Sequence, residues 1–256
     1  MRSPVFKPFL SILSLVGLII LLALLRPEKV RGAGHGHPGE MAGHMQMTAL
    51  RPRQSGDKAR ADAIVVEARK FADQYTDYRK AFADGYTIFM PNIPQDVYHF
   101  TNRGAAIETT LHFDGNRPTS LLYVRVRGVK SGQPGAYKLV GVMYTAPFGF
   151  DESQLNRRIP LSIAQWHLHT NLCMPPDEKW EDVLTSKPAF GLRGSITTAS
   201  ACEAAGGQFL PHIFGWMVHV YPYEKNPAKV WSTGMDDDHG MQHDAMPMEM
   251  PMGMPM

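Results

Sequence analysis

Apolar residues recur at spacings of three and four over residues 57–83, which is the pattern of one buried helix face. The stripe consists of Ile64, Ala68, Phe71, Tyr75, Tyr78 and Phe82. Ser55 or Asp57 can cap the start of such a helix, and Gly85 provides a C-terminal stop. The pattern therefore predicts one long helix whose aromatic stripe belongs to the core.

After Tyr86 the chain shifts to β-branched and aromatic runs that are typical of strands. Strands are predicted at 121–126, 137–144, 164–172 and 214–221, and short helices at 181–184 and 197–205. The Gly- and Pro-containing segment 130–135 reads as a hairpin loop. We therefore expect an α+β fold, with one long N-terminal helix packed on a mainly antiparallel sheet, in a single domain with disordered termini.

The segment before this body reads as a leader for export. Phe9 to Leu25 carries no charge and follows Arg2 and Lys7, which fits a signal peptide or a short membrane anchor. The expected division is 1–34 for the signal peptide or anchor and 35–56 for a His/Met-rich linker. The globular domain takes 57–232 and a Met/His-rich disordered tail takes 233–256. The expected location is periplasmic or extracellular, with membrane contact only through the N-terminal segment.

Two segments rich in Met and His flank the body. The first contains His35, His37 and His44 with Met41, Met45 and Met47, among Gly and Pro. Cleavage after Gly34 would give a chain that begins His35-Gly36-His37. Its free amine, two amide nitrogens and third-position imidazole could form a square-planar Cu(II) or Ni(II) site.

The C-terminal segment alternates Met with Pro, Glu and Gly, and its prolines lack amide donors and block a helix, so a packed core is not expected here. Its candidate ligands are His239, His243, Met246, Met248, Met250, Met252 and Met254. Thioethers suit Cu(I), and nearby imidazoles and carboxylates can hold Cu(II). The formal net charge of +2 and the absence of a basic stripe argue against nucleic acid as a partner.

The chain has two cysteines, Cys173 and Cys202. In an exported protein we expect one disulfide between them, which would stabilise the fold by about 3 kcal/mol. The alternative makes Cys173 a metal thiolate beside His169.

Strict alternation in two of the predicted strands places histidines on one face. In the first strand His167 and His169 share a face with Gln165 and Asn171, while Trp166 and Leu168 take the other. In the second, Met217, His219 and Tyr221 share a face, with Trp216, Val218 and Val220 opposite them.

If the two strands are neighbours, His167, His169 and His219 converge as a three-His site, which His99 or His112 could complete. Such a set suits zinc, copper or iron. Met217 is either a soft axial ligand or a core residue. Glu108 and Asp114 are the nearest carboxylates to His112, and no residue stands out as a general base.

Several short motifs carry a resemblance to known proteins. They are Tyr98-His99-Phe100, Pro118 to Tyr123, Leu139 to Tyr144, Trp166-His167-Leu168-His169 with Cys173, and Val218-His219-Val220. In this order they resemble a group of exported bacterial proteins of unassigned function, which implies an exported domain and no particular activity. The two flanking segments resemble the Met/His-rich segments of bacterial copper-resistance and copper-homeostasis proteins.

These patterns favour an exported metal-binding protein that captures or buffers copper through its flanking segments and a His cluster in the body. The expected partners are metal ions and copper-transport or resistance proteins. One alternative is a metalloenzyme with a three-His zinc, copper or iron centre. Another is a binding or structural domain without metal.

Overall fold

The computed structural model describes residues 43–93 and 95–233. Seven strands form one sheet in the order β1-β6-β7-β5-β4-β3-β2, and every neighbouring pair is antiparallel. The strands are β1 (Met45–Met47), β2 (Thr87–Ile88), β3 (Tyr98–Thr101), β4 (Ser120–Arg125), β5 (Tyr137–Ala146), β6 (His167–Met174) and β7 (Gln208–Val220).

The helices of the described residues are short. They are α1 (Asp57–Ala72), α2 (Tyr78–Ala83), α3 (Arg103–Leu111), α4 (Glu152–Arg158) and α5 (Ala199–Ala204). Two 3₁₀ segments accompany them, Asp73–Tyr75 and Asp177–Leu184.

The prediction of a fold led by one long N-terminal helix is wrong. The stretch 57–83 is divided into α1, a 3₁₀ segment and α2, because Asp77 adopts an extended backbone and starts a new helix. Its carboxylate accepts a hydrogen bond from the backbone amide of Arg79 at 3.1 Å, which is an N-cap. The apolar stripe nevertheless faces one core, since Ile64, Tyr75 and Tyr78 are all buried in it.

That core lies between the helices and one face of the sheet. Its largest fully buried side chains include Trp166, Phe100, Tyr123 and Tyr144. The buried phenols are paired, as buried polar groups require: the hydroxyl of Tyr123 donates to the carbonyl of Tyr75 at 2.6 Å. The strand faces in β6 and β7 follow the predicted alternation, because Leu168, Val218 and Val220 point into this core.

β1 comes from the first His/Met-rich segment. Its three residues pair with β6 at the edge of the sheet, where Met45 lies opposite His169 and Met47 lies opposite His167. Part of the predicted linker 35–56 is therefore a strand of the sheet. Its remaining residues before Gly43 lie outside the described residues, as do the leader 1–34 and residues 234–256.

The segment Phe9–Leu25, predicted as a signal peptide or membrane anchor, lies outside the described residues. Among the helices that the structure does describe, none combines the length and the apolar character needed to span a bilayer.

The predicted disulfide between Cys173 and Cys202 is confirmed. It links β6 to α5 and is fully buried beside Val183 and Phe190. Cys173 is therefore no thiolate ligand beside His169.

We expect the Cys173→Ala/Cys202→Ala double variant to lose about 3 kcal/mol of unfolding free energy. The bridge spans a sequence separation of 29 residues, so its loss restores chain entropy to the unfolded state. Urea unfolding followed by tryptophan fluorescence measures the difference. A reductant should destabilise the wild-type chain equally and leave the double variant unchanged; equal stability of the two oxidised chains would contradict the expectation.

Candidate functional site

One face of the sheet carries the histidines, and we call it the histidine face. Directly opposite residues of an antiparallel pair share a face. His167 lies opposite Met217, Met143 lies opposite His219, and His99 lies opposite Leu122. This face therefore combines imidazoles with thioethers, while the opposite face holds the aromatic core.

The sheet curls toward the histidine face. β3 and β7 are separated by β4 and β5, so their backbones would be roughly 14 Å apart in a flat sheet. Yet Nε2 of His99 and Nε2 of His219 are 3.3 Å apart. Phe89, which follows β2, makes a similar crossing to Phe214 in β7, with ring centres 4.9 Å apart.

Gly141 permits close packing at the centre of this curl. It lies opposite Leu122 in β5, next to the last residues of β7. A Cβ atom at this position would lie 2.4 Å from the carbonyl oxygen of Val220 and 3.0 Å from the ring of Tyr221. A side chain here would clash with the backbone at the end of β7, so the close approach of β5 and β7 requires glycine.

Four imidazoles meet on the histidine face and form what we call the histidine cluster: His99, His167, His169 and His219. The ring centre of His219 lies 5.3 Å from that of His99 and 5.0 Å from that of His167. The ring centre of His169 lies 5.5 Å from that of His167. His167 and His219 are only 1% and 7% exposed.

The backbone fixes which nitrogen of His219 carries its proton. Nδ1 lies 3.0 Å from the carbonyl oxygen of Thr233, which can only accept, so Nδ1 donates. The lone pair of neutral His219 is therefore on Nε2 and points toward His99. A ring nitrogen held by a backbone carbonyl is the usual arrangement behind a metal-binding imidazole.

Two further ring nitrogens are buried without partners. Within the described part of the chain, neither Nδ1 of His167 nor Nδ1 of His169 makes a hydrogen bond. A buried polar group left unpaired costs about 1–3 kcal/mol. Within the same residues, Nδ1 of His44 and Nε1 of Trp166 are also buried without partners, so this cost is not confined to the cluster.

All four imidazoles are held neutral at physiological pH. Burial, reinforced by the neighbouring imidazoles, lowers the pKa of His219 to about 3 and that of His99 to about 4. Burial likewise lowers the pKa of His169 to about 4 and that of His167 well below its usual value. Neutral imidazole is the form that binds metal ions.

The rings of His167, His169 and His219 are not arranged as a ready three-ligand metal centre. Over 43–93 and 95–233, no three or more His, Cys, Asp or Glu side chains are placed so that they could hold a metal ion. The ring of His167 stands at 78° to that of His169 and at 80° to that of His219.

The His99–His219 pair does have the spacing of two metal ligands. Nitrogens bound at about 2.0–2.1 Å to a tetrahedral ion lie about 3.3–3.4 Å from each other. The observed separation is 3.3 Å. Ring centres around such an ion lie roughly 5 Å apart, which is also the spacing found within the cluster.

The other predicted ligands have different positions. His112 is exposed and directly follows α3. His44 is buried, and its Nε2 lies 2.5 Å from the carbonyl oxygen of Gly194, so it anchors the start of β1. The remaining predicted ligands lie outside the described residues: His35, His37, His239, His243, Met246, Met248, Met250, Met252 and Met254.

The carboxylates near His112 have surface roles. Glu108 forms an exposed ion pair with Arg117 at 2.8 Å, and Asp114 accepts a hydrogen bond from the backbone amide of Asn116 at 2.8 Å. Neither position supplies a base to the histidine cluster.

The sequence patterns alone do not place Met45, Met47 and Met143 on the histidine face. Met45 and Met47 were grouped with the flanking segment, and Met143 was counted only as part of a strand. Their positions follow from strand register, with Met47 opposite His167 and Met143 opposite His219. Alternation along β5 is the one signal that could have placed Met143 on a face.

Comparison of the chain with protein-family models, with curated proteins and with solved structures finds no match. The resemblance to exported bacterial proteins and to copper-resistance segments therefore stays a prediction.

We expect acid to destabilise the fold through the histidine cluster. Unfolded histidines have a pKa near 6.5, so below that pH unfolding takes up close to one proton per cluster histidine. Above pH 6.5 the cluster histidines make their full contribution to the free energy of unfolding. As the pH decreases toward 4, this free energy falls by about 1.4 kcal/mol per pH unit for each histidine. Urea unfolding at a series of pH values, with a chelator present, measures the slope.

The matched variants isolate the cluster. His99→Gln/His219→Gln should reduce the slope between pH 5 and 6.5 by about two protons. His112→Gln removes an exposed ring outside the cluster and is the matched control. Equal slopes for the wild-type chain and the double variant would show that the two cluster rings are not held neutral.

Proposed function

We propose that the protein is an exported copper-binding protein, in which the histidine cluster holds one copper ion. The observation that carries the proposal is the 3.3 Å separation of the two Nε2 atoms of His99 and His219. These two nitrogens provide two ligand positions, and His167 and His169 turn to complete the coordination. When bound, the copper ion would accept lone pairs from the imidazoles, and the chain provides these rings in their neutral form and in fixed orientations.

The energetics of the cluster support a ligand. Nδ1 of His167 and of His169 is unpartnered within the described residues, and the buried rings cannot charge at neutral pH. A metal ion accepts lone pairs from neutral rings and removes the need for a hydrogen-bond partner. Binding is therefore expected to stabilise the fold by an amount that rises with the logarithm of the ion concentration.

Copper is favoured over zinc by the surrounding chemistry. Met143 and Met217 lie on the histidine face beside the cluster, and the flanking segments are rich in further methionines. Thioethers prefer Cu(I), and imidazole binds copper more tightly than zinc in the usual order of divalent ions. The Met/His-rich flanking segments would then capture copper for the body, including His35, His37, His239 and His243.

Two features support export. The buried Cys173–Cys202 disulfide is typical of oxidising compartments, and the apolar run Phe9–Leu25 is typical of a leader.

Copper retention by the whole chain tests the proposal. We expect His99→Ala/His219→Ala to retain one copper ion fewer than the wild-type chain after loading and dialysis against a competing chelator. The pair provides the two converging nitrogens, so its loss removes the site and leaves the flanking segments intact. Metal-to-protein ratios by mass spectrometry give the count.

The controls are His112→Ala and His212→Ala, which remove histidines outside the cluster. His112 is exposed, and the ring of His212 stacks on Phe148 at 3.8 Å. Both should retain the wild-type number of ions. An unchanged count in the His99/His219 double variant, with circular dichroism matching the wild-type chain, would overturn the proposal.

A further inference from the structure

The histidine face contains a second group of soft ligands in one row across three strands. Met47 of β1 lies directly opposite His167 of β6, and His167 lies directly opposite Met217 of β7. An imidazole therefore stands between two thioether side chains on the same face. We call Met47, His167 and Met217 the Met–His–Met row.

The spacing of the row suits a single ion. Directly opposite residues have Cβ atoms about 4.5–5.5 Å apart, and a methionine side chain is long and unbranched enough to bring its sulfur beside the neighbouring ring. His167 is 1% exposed, and its Nδ1 has no hydrogen-bond partner within the described residues. One nitrogen and two sulfurs form a soft ligand set that suits Cu(I) and Ag(I) and is poor for Zn(II).

The row also has a direction. β1 is an edge strand, and Met47 is half-buried, whereas Met217 is only 5% exposed. The row thus begins at the sheet edge and ends in the interior. His167 lies in the row and also has its ring centre 5.0 Å from that of His219, so it belongs to both ligand groups.

We propose that Met47, His167 and Met217 form a sulfur-rich site that binds Cu(I) or Ag(I) at the sheet edge and passes the ion to the His99–His219 pair. Binding at the row stands on its own ligands; the transfer step rests on the proposed function of the pair. Transfer is a ligand exchange in which His167 keeps the ion, the two thioethers leave, and the Nε2 atoms of His99 and His219 bind. The oxidation state does not change.

Methionine methyl signals test the site in the full chain. The protein is labelled with ¹³C in its methionine methyl groups and titrated with Ag(I), which resists oxidation. Met47→Leu and Met217→Leu identify the two signals, and each keeps nearly the same side-chain volume. We expect the signals of Met47 and Met217 to shift together and saturate at the same Ag(I) concentration, because both sulfurs bind one ion.

Three variants sharpen the result. Met217→Leu should weaken the Ag(I) response of Met47 by at least about tenfold, and His167→Ala should do the same, since each removes one ligand. Met174→Leu is the matched control, because Met174 is also half-buried and lies in β6 outside the row. It should leave the titration of both row signals unchanged.

The outcomes distinguish failure of the Met–His–Met row from failure of the His99–His219 pair. Row signals that stay fixed, titrate independently, or keep their response in His167→Ala overturn the row. A normal row response in His99→Ala/His219→Ala supports binding at the row independently of the pair. Because the row and the pair share His167, the copper count of that double variant is compared with that of the unchanged pair in the Met217→Leu background, where the row has lost a ligand. An unchanged count there means that the pair fails while the row stands. Zn(II) should leave both row signals unshifted, and an equal Zn(II) response would overturn the assignment to soft ions.

Discussion

Both faces of the sheet are buried, and different parts of the structure pack on each of them. Helices α1 and α2 bring an aromatic stripe onto one face, with Tyr78 and Phe100 in edge-to-face contact. On the other face the sheet curls until His99 of β3 reaches His219 of β7, and α3 packs against this face through the hydrogen bond between Thr109 and Thr145. Gly141 lets β5 and the end of β7 approach closely, and the curl brings imidazoles from distant strands together.

The alternation in β6 and β7 was readable from the sequence, because period-2 patterning decides which side chains share a face. It correctly separated His167, His169 and His219 from Trp166 and Val218. What no pattern along the chain could give is contact between strands that are not neighbours. His99 was one of two candidates to complete the site, and curvature of the sheet selects it over His112.

Two other differences have equally local causes. An apolar stripe of helical period continues across residues 57–83, but a capping Asp77 divides the helix without disturbing the stripe. The first Met/His-rich segment looks uniform in composition, yet Met45 and Met47 pair with β6 while His44 anchors to Gly194. Composition predicts which ligands a segment offers, and backbone pairing decides which of them reach the body.

The hydrogen bond between His219 and Thr233 connects the interior of the protein to its C-terminal segment. Thr233 is followed within two residues by the Met-rich sequence that starts at Met235. The tautomer of a buried ring is thus set by a backbone group at the root of that segment. A chain shortened at residue 232, the boundary suggested by composition, would leave His219 free to exchange its proton between nitrogens. Expression variants, fusion joints and isolated domains of this protein should therefore keep the chain through Thr233.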